Sequence, residues 1–98
     1  LRAVRESNGT ALAVSNDEIS EAQRLLAKSE GIFAEPSGVA SLAGLIKLAG
    51  TGLIEKSDVV AVEITGSGLK DPDVATRGMT EIPLIEPSMQ DLEKALVF

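Results

Sequence analysis

A threonine and two glycines follow the most apolar stretch of the sequence, and their types and spacing could form a ligand site. Residues 59–64 are almost continuously apolar and β-branched, and the letters TGSGLKDP follow at 65–72. Ligands bind at the carboxyl ends of strands in open α/β sheets, where a hydroxyl can exchange a hydrogen bond with a ligand heteroatom. The backbone at a glycine can approach a flat ring or a phosphate closely. The pattern predicts a site at Thr65, Gly66 and Gly68, although an ordinary strand-to-loop turn would have the same letters.

Two helices must support this strand end. The first begins at Ser15, where Glu18 three residues later gives the spacing of a capping box, and it ends at Gly31. The 3.6-residue period predicts one apolar face, formed by Ile19, Ala22 and Leu26.

The second helix is predicted from Glu35-Pro36 to about Ala49, because proline suits the first position of a helix. Glycine inside a helix costs about 1 kcal/mol relative to alanine, so its small residues need a compensating gain. Close packing against a sheet or against a ligand would provide it, and a tightly packed buried helix needs the same residues. These small residues are Gly38, Ala40, Ser41, Ala43 and Gly44.

Helices that alternate with apolar segments indicate an α/β fold. Residues 59–65 have the pattern of a central parallel strand, 10–14 that of a short strand, and 82–85 that of an edge strand containing a proline. Residues 73–80 show no periodicity and are predicted to be loop. A last helix is expected after Ser88, with its inner face at Met89, Leu92 and Leu96. The prediction is a layer of helices on a small, mainly parallel sheet, in one partial domain covering 1–98.

Composition excludes several classes of function. The net charge is −6, which disfavours nucleic acid, and no basic patch or long apolar run indicates contact with a membrane. The chain has no cysteine and no histidine, so we expect neither a disulfide nor a metal site. No signal peptide is visible, and a cytoplasmic location is expected.

Two sequence blocks carry a family resemblance. EGIFAEPSGVASLAGL, which starts at Glu30, and TGSGLKDP, which starts at Thr65, resemble in order and spacing the corresponding blocks of threonine synthase. The helix sequence before them is also similar, and the resemblance covers about 9–72. Threonine synthases are pyridoxal-phosphate enzymes of fold type II, so the resemblance implies a partial domain of that fold.

The resemblance implies a reaction, and it implies which residues line one edge of the cofactor ring. Family members convert O-phospho-L-homoserine and water to L-threonine and phosphate, with pyridoxal phosphate as the electron sink. Thr65 matches the hydroxyl that meets the pyridine nitrogen, and Gly66 and Ser67 would line the same edge of the ring. Glu35 matches a glutamate close to the cofactor pocket, although an acidic residue also suits a helix amino terminus for electrostatic reasons.

The family's Schiff-base lysine and glycine-rich phosphate loop have no counterpart in these 98 residues. None of the five lysines has the context of the covalent lysine, and each is interpreted as a solvated charge: Lys28, Lys47, Lys56, Lys70 and Lys94. The amino terminus also reads as the tail of a helix, stopped at Asn8-Gly9. The expectation is a carboxy-terminal fragment that is inactive alone, binds no cofactor covalently, needs the remainder of the parent enzyme as partner and self-associates through uncovered apolar surface.

One residue departs from the family pattern, and two other functions stay open. Glu63 stands where family strands usually carry an apolar residue, so it is either wet or paired with Lys47 or Lys70. A fragment of a threonine or serine dehydratase of the same fold is one alternative. A small non-catalytic ligand-binding module is the other.

Overall fold

The structure is a computed structural model that describes residues 1–77 and 83–96. Within that part of the chain the regular elements are helical, and an isolated β-bridge joins two loops. The helices are α1 (Arg2–Glu6), α2 (Asn16–Glu30), α3 (Pro36–Ala49), a short 3₁₀ helix (Gly68–Lys70), α4 (Pro72–Thr76) and α5 (Met89–Ala95).

The predicted capping box starts α2. Ser15 Oγ accepts a hydrogen bond from the Glu18 backbone N–H at 3.2 Å, and the Ser15 N–H donates to the Glu18 carboxylate at 2.6 Å. Gly31 ends the helix in the left-handed conformation, with φ of 69°, and its N–H donates to the Ala27 carbonyl. Both ends of this helix are therefore confirmed.

Helices α2 and α3 pack against each other and form most of the core. The core is aliphatic and small, as the near-absence of aromatic residues predicts, and it comprises Ala22, Leu26, Ala34, Val39 and Ala43. Gln23 is also buried, and its Nε2 donates to the Ala34 carbonyl at 2.6 Å, which satisfies the amide donor inside the core. The buried positions of Gly38 and Gly44 confirm that the small residues of α3 permit close packing.

Two loop segments are tied to α3. Lys47 Nζ donates to the Ala13 carbonyl at 3.0 Å, and Ser41 Oγ donates to the Glu63 carbonyl at 2.6 Å. These bonds attach 10–14 and 59–65 to the same helix.

The mainly parallel sheet is not confirmed. In 1–77 and 83–96 neither 10–14 nor 59–65 is a strand, and the one bridge, between Ala34 and Ser67, is antiparallel. A strand is defined by backbone hydrogen bonds to a neighbour, and among the described residues these two segments have none. Residues 83–85 of the expected edge strand are not strand, and 82 lies outside the described part.

Two further predictions for the second half of the chain need correction. Residues 73–76 belong to α4 rather than to a loop, because Pro72 starts a helix at its first position, whereas 78–80 lie outside the described residues. Ser88 caps α5 as predicted, but the expected inner face of this helix is not buried against any of the described residues. Its apolar side chains remain exposed because the described chain offers them no core: Met89 is 70 %, Leu92 38 % and Leu96 54 % exposed.

No helix within 1–77 and 83–96 has both the length and the apolar character needed to cross a membrane.

The capping box makes helix stability depend on pH. The hydrogen bond from the Ser15 backbone, followed by that from Lys47, lowers the pKa of Glu18 below its ordinary value of 4.5. A lowered pKa in the folded chain stabilises it above the ordinary pKa, and this contribution is lost as the pH falls through the lowered value. We expect Glu18→Gln to make acid unfolding, followed by ellipticity at 222 nm, less steep below pH 4.5.

Glu21→Gln is the matched control, because Glu21 lies on the same helix and makes no ion pair with a described residue. The acid unfolding curve of this variant, followed by ellipticity at 222 nm, should match that of the unmodified chain. Equal curves for all three proteins would show that the capping carboxylate has no such role.

Candidate functional site

The isolated bridge brings the two sequence blocks together. The Glu35 N–H donates to the Gly66 carbonyl at 3.2 Å, and the Gly68 N–H donates to the Phe33 carbonyl at 3.0 Å. The residues before α3 therefore run antiparallel to the turn after Thr65. Of the predicted site residues, the structure brings Glu35 beside Gly66 and places Thr65 and Ser67 on either side.

Gly38 allows α3 to lie on the backbone of Thr65. A Cβ atom at Gly38 would overlap the Thr65 carbonyl group, which is backbone and has little freedom to move. The first turn of α3 is therefore in direct contact with the end of the 59–65 segment. The internal glycine noted in the sequence has a packing role here, and it fixes the position of Thr65.

The two glycines of the turn make room for side chains of the same chain. Gly66 has φ of 72°, a conformation that favours glycine, and the Glu35 carboxylate fills the space where a Cβ would lie. Gly68 is buried, and the ring of Phe33 occupies the corresponding space beside it. In this structure both spaces are thus filled by the protein itself rather than left open for a ring or a phosphate.

The hydroxyls of Thr65 and Ser67 differ in their availability. Thr65 is exposed, and its hydroxyl makes no hydrogen bond to any residue in the described ranges. Ser67 Oγ accepts a hydrogen bond from the Leu69 N–H at 3.3 Å and caps the 3₁₀ helix. Thr65 therefore has a free donor and acceptor, whereas Ser67 is partly used in holding the turn.

Glu35 has a partner that sequence reasoning missed. Lys70 Nζ lies 3.3 Å from Glu35 Oε2, and the Glu35 side chain is only 20 % exposed whereas that of Lys70 is 65 % exposed. The interpretation of the lysines as solvated charges is therefore wrong for Lys70, and also for Lys47 and Lys94, which pair with Glu18 and Asp91. The position of Lys70 in TGSGLKDP, within the same block as Thr65, was the available signal. Glu35 is also the residue before the first turn of α3, but its side chain makes no capping hydrogen bond.

The Glu63 carboxylate is exposed to solvent and forms no ion pair with either lysine. It is exposed, and the two lysines considered as partners are engaged elsewhere, Lys47 with Glu18 at 2.9 Å and Lys70 with Glu35. The first of the two alternatives for this carboxylate is therefore confirmed.

The turn formed by Thr65, Gly66 and Ser67 is an open surface and does not enclose a pocket. A cavity of about 640 Å³ lies beside α2, α3 and α4, but Thr65, Gly66, Ser67 and Glu35 do not line it. The free hydroxyl of Thr65 suits a heteroaromatic nitrogen, which can accept its hydrogen bond. The described residues therefore offer such a ring one hydroxyl, and they do not surround it.

Comparison with known proteins identifies the class. The family model of pyridoxal-phosphate dependent enzymes matches residues 1–66, which is two-thirds of the chain. This chain belongs to the pyridoxal-phosphate dependent enzyme family.

Its relatives within that family include several threonine synthases. The chain is 47 % identical to a threonine synthase of Methanocaldococcus jannaschii over 96 residues, which are 98 % of this chain and 24 % of that protein. It is 52 % identical to a threonine synthase of Bacillus sp. over 75 residues, 76 % of this chain and 21 % of the relative. For the threonine synthase of Mycobacterium leprae the identity is 42 % over 82 residues, 84 % of this chain and 23 % of the relative. The resemblance read from the two blocks is confirmed, and the chain spans about a quarter of the length of these relatives.

The contact between Gly38 and Thr65 can be tested by substitution. We expect Gly38→Ala to lower the free energy of unfolding by about 1–3 kcal/mol, because the added methyl group overlaps a backbone carbonyl. Urea unfolding of the isolated chain, followed by circular dichroism, would measure the change.

Gly44→Ala is the matched control on the same helix. A Cβ there meets Leu12 Cδ2 at 3.8 Å, an ordinary van der Waals distance, so this variant should gain up to about 1 kcal/mol from helix propensity. Equal effects of the two substitutions would contradict the packing role assigned to Gly38.

Proposed function

We propose that this chain is part of a threonine synthase, which converts O-phospho-L-homoserine and water to L-threonine and phosphate with pyridoxal phosphate. The observation that carries the proposal is the 47 % identity to one threonine synthase over 98 % of this chain. The antiparallel bridge between Ala34 and Ser67 supports it, because it joins the two blocks on which the resemblance rests.

Within such an enzyme the chain would contribute one edge of the cofactor site. Bound pyridoxal phosphate supplies the electron sink for the elimination and addition steps. Thr65 would hold the pyridine nitrogen through its free hydroxyl, and Gly66 and Ser67 would line the same edge. A neutral hydroxyl partner leaves that nitrogen largely unprotonated, whereas a carboxylate partner would favour its protonated form.

Glu35 and Lys70 would position this edge. Their ion pair holds the Glu35 carboxylate in the space beside Gly66, and Gly38 supports Thr65 from the helix side. The turn is thereby held from two directions, so the Thr65 hydroxyl would keep its orientation without a bond to a neighbouring side chain.

The remaining features belong to the larger enzyme. We propose that 10–14 and 59–65 are strands of a partial fold type II domain with a mainly parallel sheet, completed by the rest of the polypeptide. The Schiff-base lysine and the phosphate loop would also come from that part. The isolated chain would then bind no cofactor covalently and would release no phosphate from O-phosphohomoserine.

A chimeric enzyme tests the function. In it, this chain replaces the matched 96-residue segment of the Methanocaldococcus jannaschii threonine synthase. We expect the chimera to release phosphate from O-phosphohomoserine and the isolated chain to release none above background. Thr65→Val should lower kcat by about tenfold or more and alter the visible absorption of the cofactor, because one hydrogen bond to the ring is lost.

Thr65→Ser is the control, because it keeps the hydroxyl, and its kcat should stay within about threefold of the chimera. A chimera that releases ammonia from threonine or serine but no phosphate from phosphohomoserine would indicate the dehydratase alternative instead. Tight binding of pyridoxal phosphate or an amino acid to the isolated chain in calorimetric titration would favour the ligand-binding module.

The isolated chain should also self-associate. Several large apolar side chains are strongly exposed, including Leu53 at 67 %, Leu69 at 78 % and Leu84 at 103 %. Burial of apolar surface contributes about 25 cal/mol per Å², so association that covers them is favourable. Sedimentation velocity over a range of concentrations should show a rising average mass, and a single monomeric species throughout would refute the expectation.

A further inference from the structure

The end of α1 holds an asparagine in the left-handed conformation. Asn8 has φ of 54°, and among the described residues it is the one non-glycine residue with a positive φ. Its N–H donates to the Arg5 carbonyl at 3.3 Å, and the Gly9 N–H donates to the Val4 carbonyl at 2.9 Å. These two bonds are those of a Schellman motif, which satisfies carbonyls in the last turn of a helix and ends it.

The side chain of Asn8 lies open to reaction with the backbone of the next residue. Asn8 and Gly9 are both exposed, and the Asn8 carboxamide makes no hydrogen bond to a described residue. Glycine has no Cβ that would hinder an approach to its backbone nitrogen. Because the two groups belong to neighbouring residues, the covalent structure itself keeps them close. The pair therefore has what an intramolecular reaction between side chain and backbone requires.

The reaction that these groups support is deamidation through a cyclic imide. The Gly9 backbone nitrogen loses its proton to hydroxide and attacks Asn8 Cγ, so that a new N–C bond closes a ring. The C–N bond of the carboxamide then breaks, and its nitrogen takes up a proton and leaves as ammonia. Water adds to one of the two imide carbonyls and opens the ring, which gives aspartate or isoaspartate. Water supplies every atom that the step consumes, and nothing is oxidised or reduced.

We propose that Asn8-Gly9 is a self-modification site, at which conversion to isoaspartate releases the end of α1. The hydrogen bond from Gly9 to Val4 controls the reaction, because it holds the proton that the attacking nitrogen must lose. This bond opens readily, since α1 has no buried residue and such segments open at little cost in free energy. In isoaspartate the main chain runs through the former side chain and gains one atom, so the two bonds of the Schellman motif cannot re-form together. The reaction needs neither cofactor nor substrate and does not depend on the proposed function.

Mass spectrometry of the chain tests the modification. Asn8 and Asn16 are its two asparagines, and trypsin places both in one peptide, residues 6–24. After incubation at mildly alkaline pH in water enriched in heavy oxygen, we expect Asn8 to become isoaspartate and aspartate, each with one heavy oxygen atom. Asn16 should remain intact, because the Asp17 side chain hinders the attacking nitrogen and its negative charge opposes loss of the proton. No conversion at Asn8, or equal conversion at both asparagines, would overturn the proposal.

Two glycines that follow helices supply a matched pair of substitutions. In Gly9→Ala the added methyl group lies beside the attacking nitrogen, and its nearest neighbour is the end of the flexible Ser7 side chain at 3.0 Å, which can move aside. This variant should convert Asn8 about tenfold or more slowly. Gly50→Ala adds its methyl group after α3, 3.9 Å from the Lys47 carbonyl oxygen, and should leave the rate unchanged. Circular dichroism checks that both variants keep their helix content, and equal rates of conversion would overturn the proposal.

The controlling hydrogen bond and the release of α1 have separate measurements. The folded chain should convert Asn8 more slowly than the urea-unfolded chain, but within about tenfold, because opening of α1 costs little. Equal rates, or a much larger ratio, would contradict the role of the bond to Val4. The carbon chemical shifts of Ala3 and Val4 should move toward random-coil values in the isoaspartate form. They should stay helical in Asn8→Asp, which gains the charge without the extra backbone atom, and helical shifts in both proteins would overturn the release of α1.

Discussion

The close approach of α3 to the Thr65 backbone is the constraint on which the rest of the structure depends. Because Gly38 has no side chain, the first turn of α3 lies directly on the Thr65 carbonyl. This contact places Glu35, just before α3, next to Gly66, where the two backbone hydrogen bonds of the bridge can form. The same arrangement brings Lys70 to Glu35. One missing methyl group thus permits the contacts that hold the candidate cofactor edge.

The core explains how such a small chain can hold that edge. Helices α2 and α3 pack through Ala22, Leu26, Val39 and Ala43, and these short side chains allow a close separation of the two helices. Gln23 links α2 to the bridge by its hydrogen bond to the Ala34 carbonyl. The site residues therefore rest on the best-packed part of the molecule, while apolar side chains farther along the chain, on α5 for example, stay exposed.

The exposed apolar surface and the unpaired backbone of 10–14 and 59–64, as seen in the described residues, have a common physical origin. Strands are stabilised by hydrogen bonds to neighbouring strands, which are far apart in sequence and need not lie within these 98 residues. Helices α2 and α3 form their hydrogen bonds internally and are complete here. The two long helices are therefore complete, whereas 10–14 and 59–64 make no backbone-to-backbone hydrogen bond to a described residue.

Prediction from sequence succeeded where the determining interactions are local. The capping box at Ser15, the left-handed end at Gly31 and the proline start of α3 depend on residues a few positions apart, and each was confirmed. It was wrong for 73–76, where the five-residue helix α4 is too short to show a period. The Thr65 hydroxyl makes no hydrogen bond to a described residue, and the prediction that it binds a ligand stays a prediction.

The sequence by itself determined the family, the two long helices and the aliphatic character of the core, because composition and short-range spacing carry that information. Only the tertiary structure decided that Gly66 and Gly68 accommodate Glu35 and Phe33, that Lys70 pairs with Glu35 and that Glu63 is exposed. These features depend on which distant segments meet. No local pattern encodes that choice, since it arises from packing one helix closely against the backbone of a remote turn.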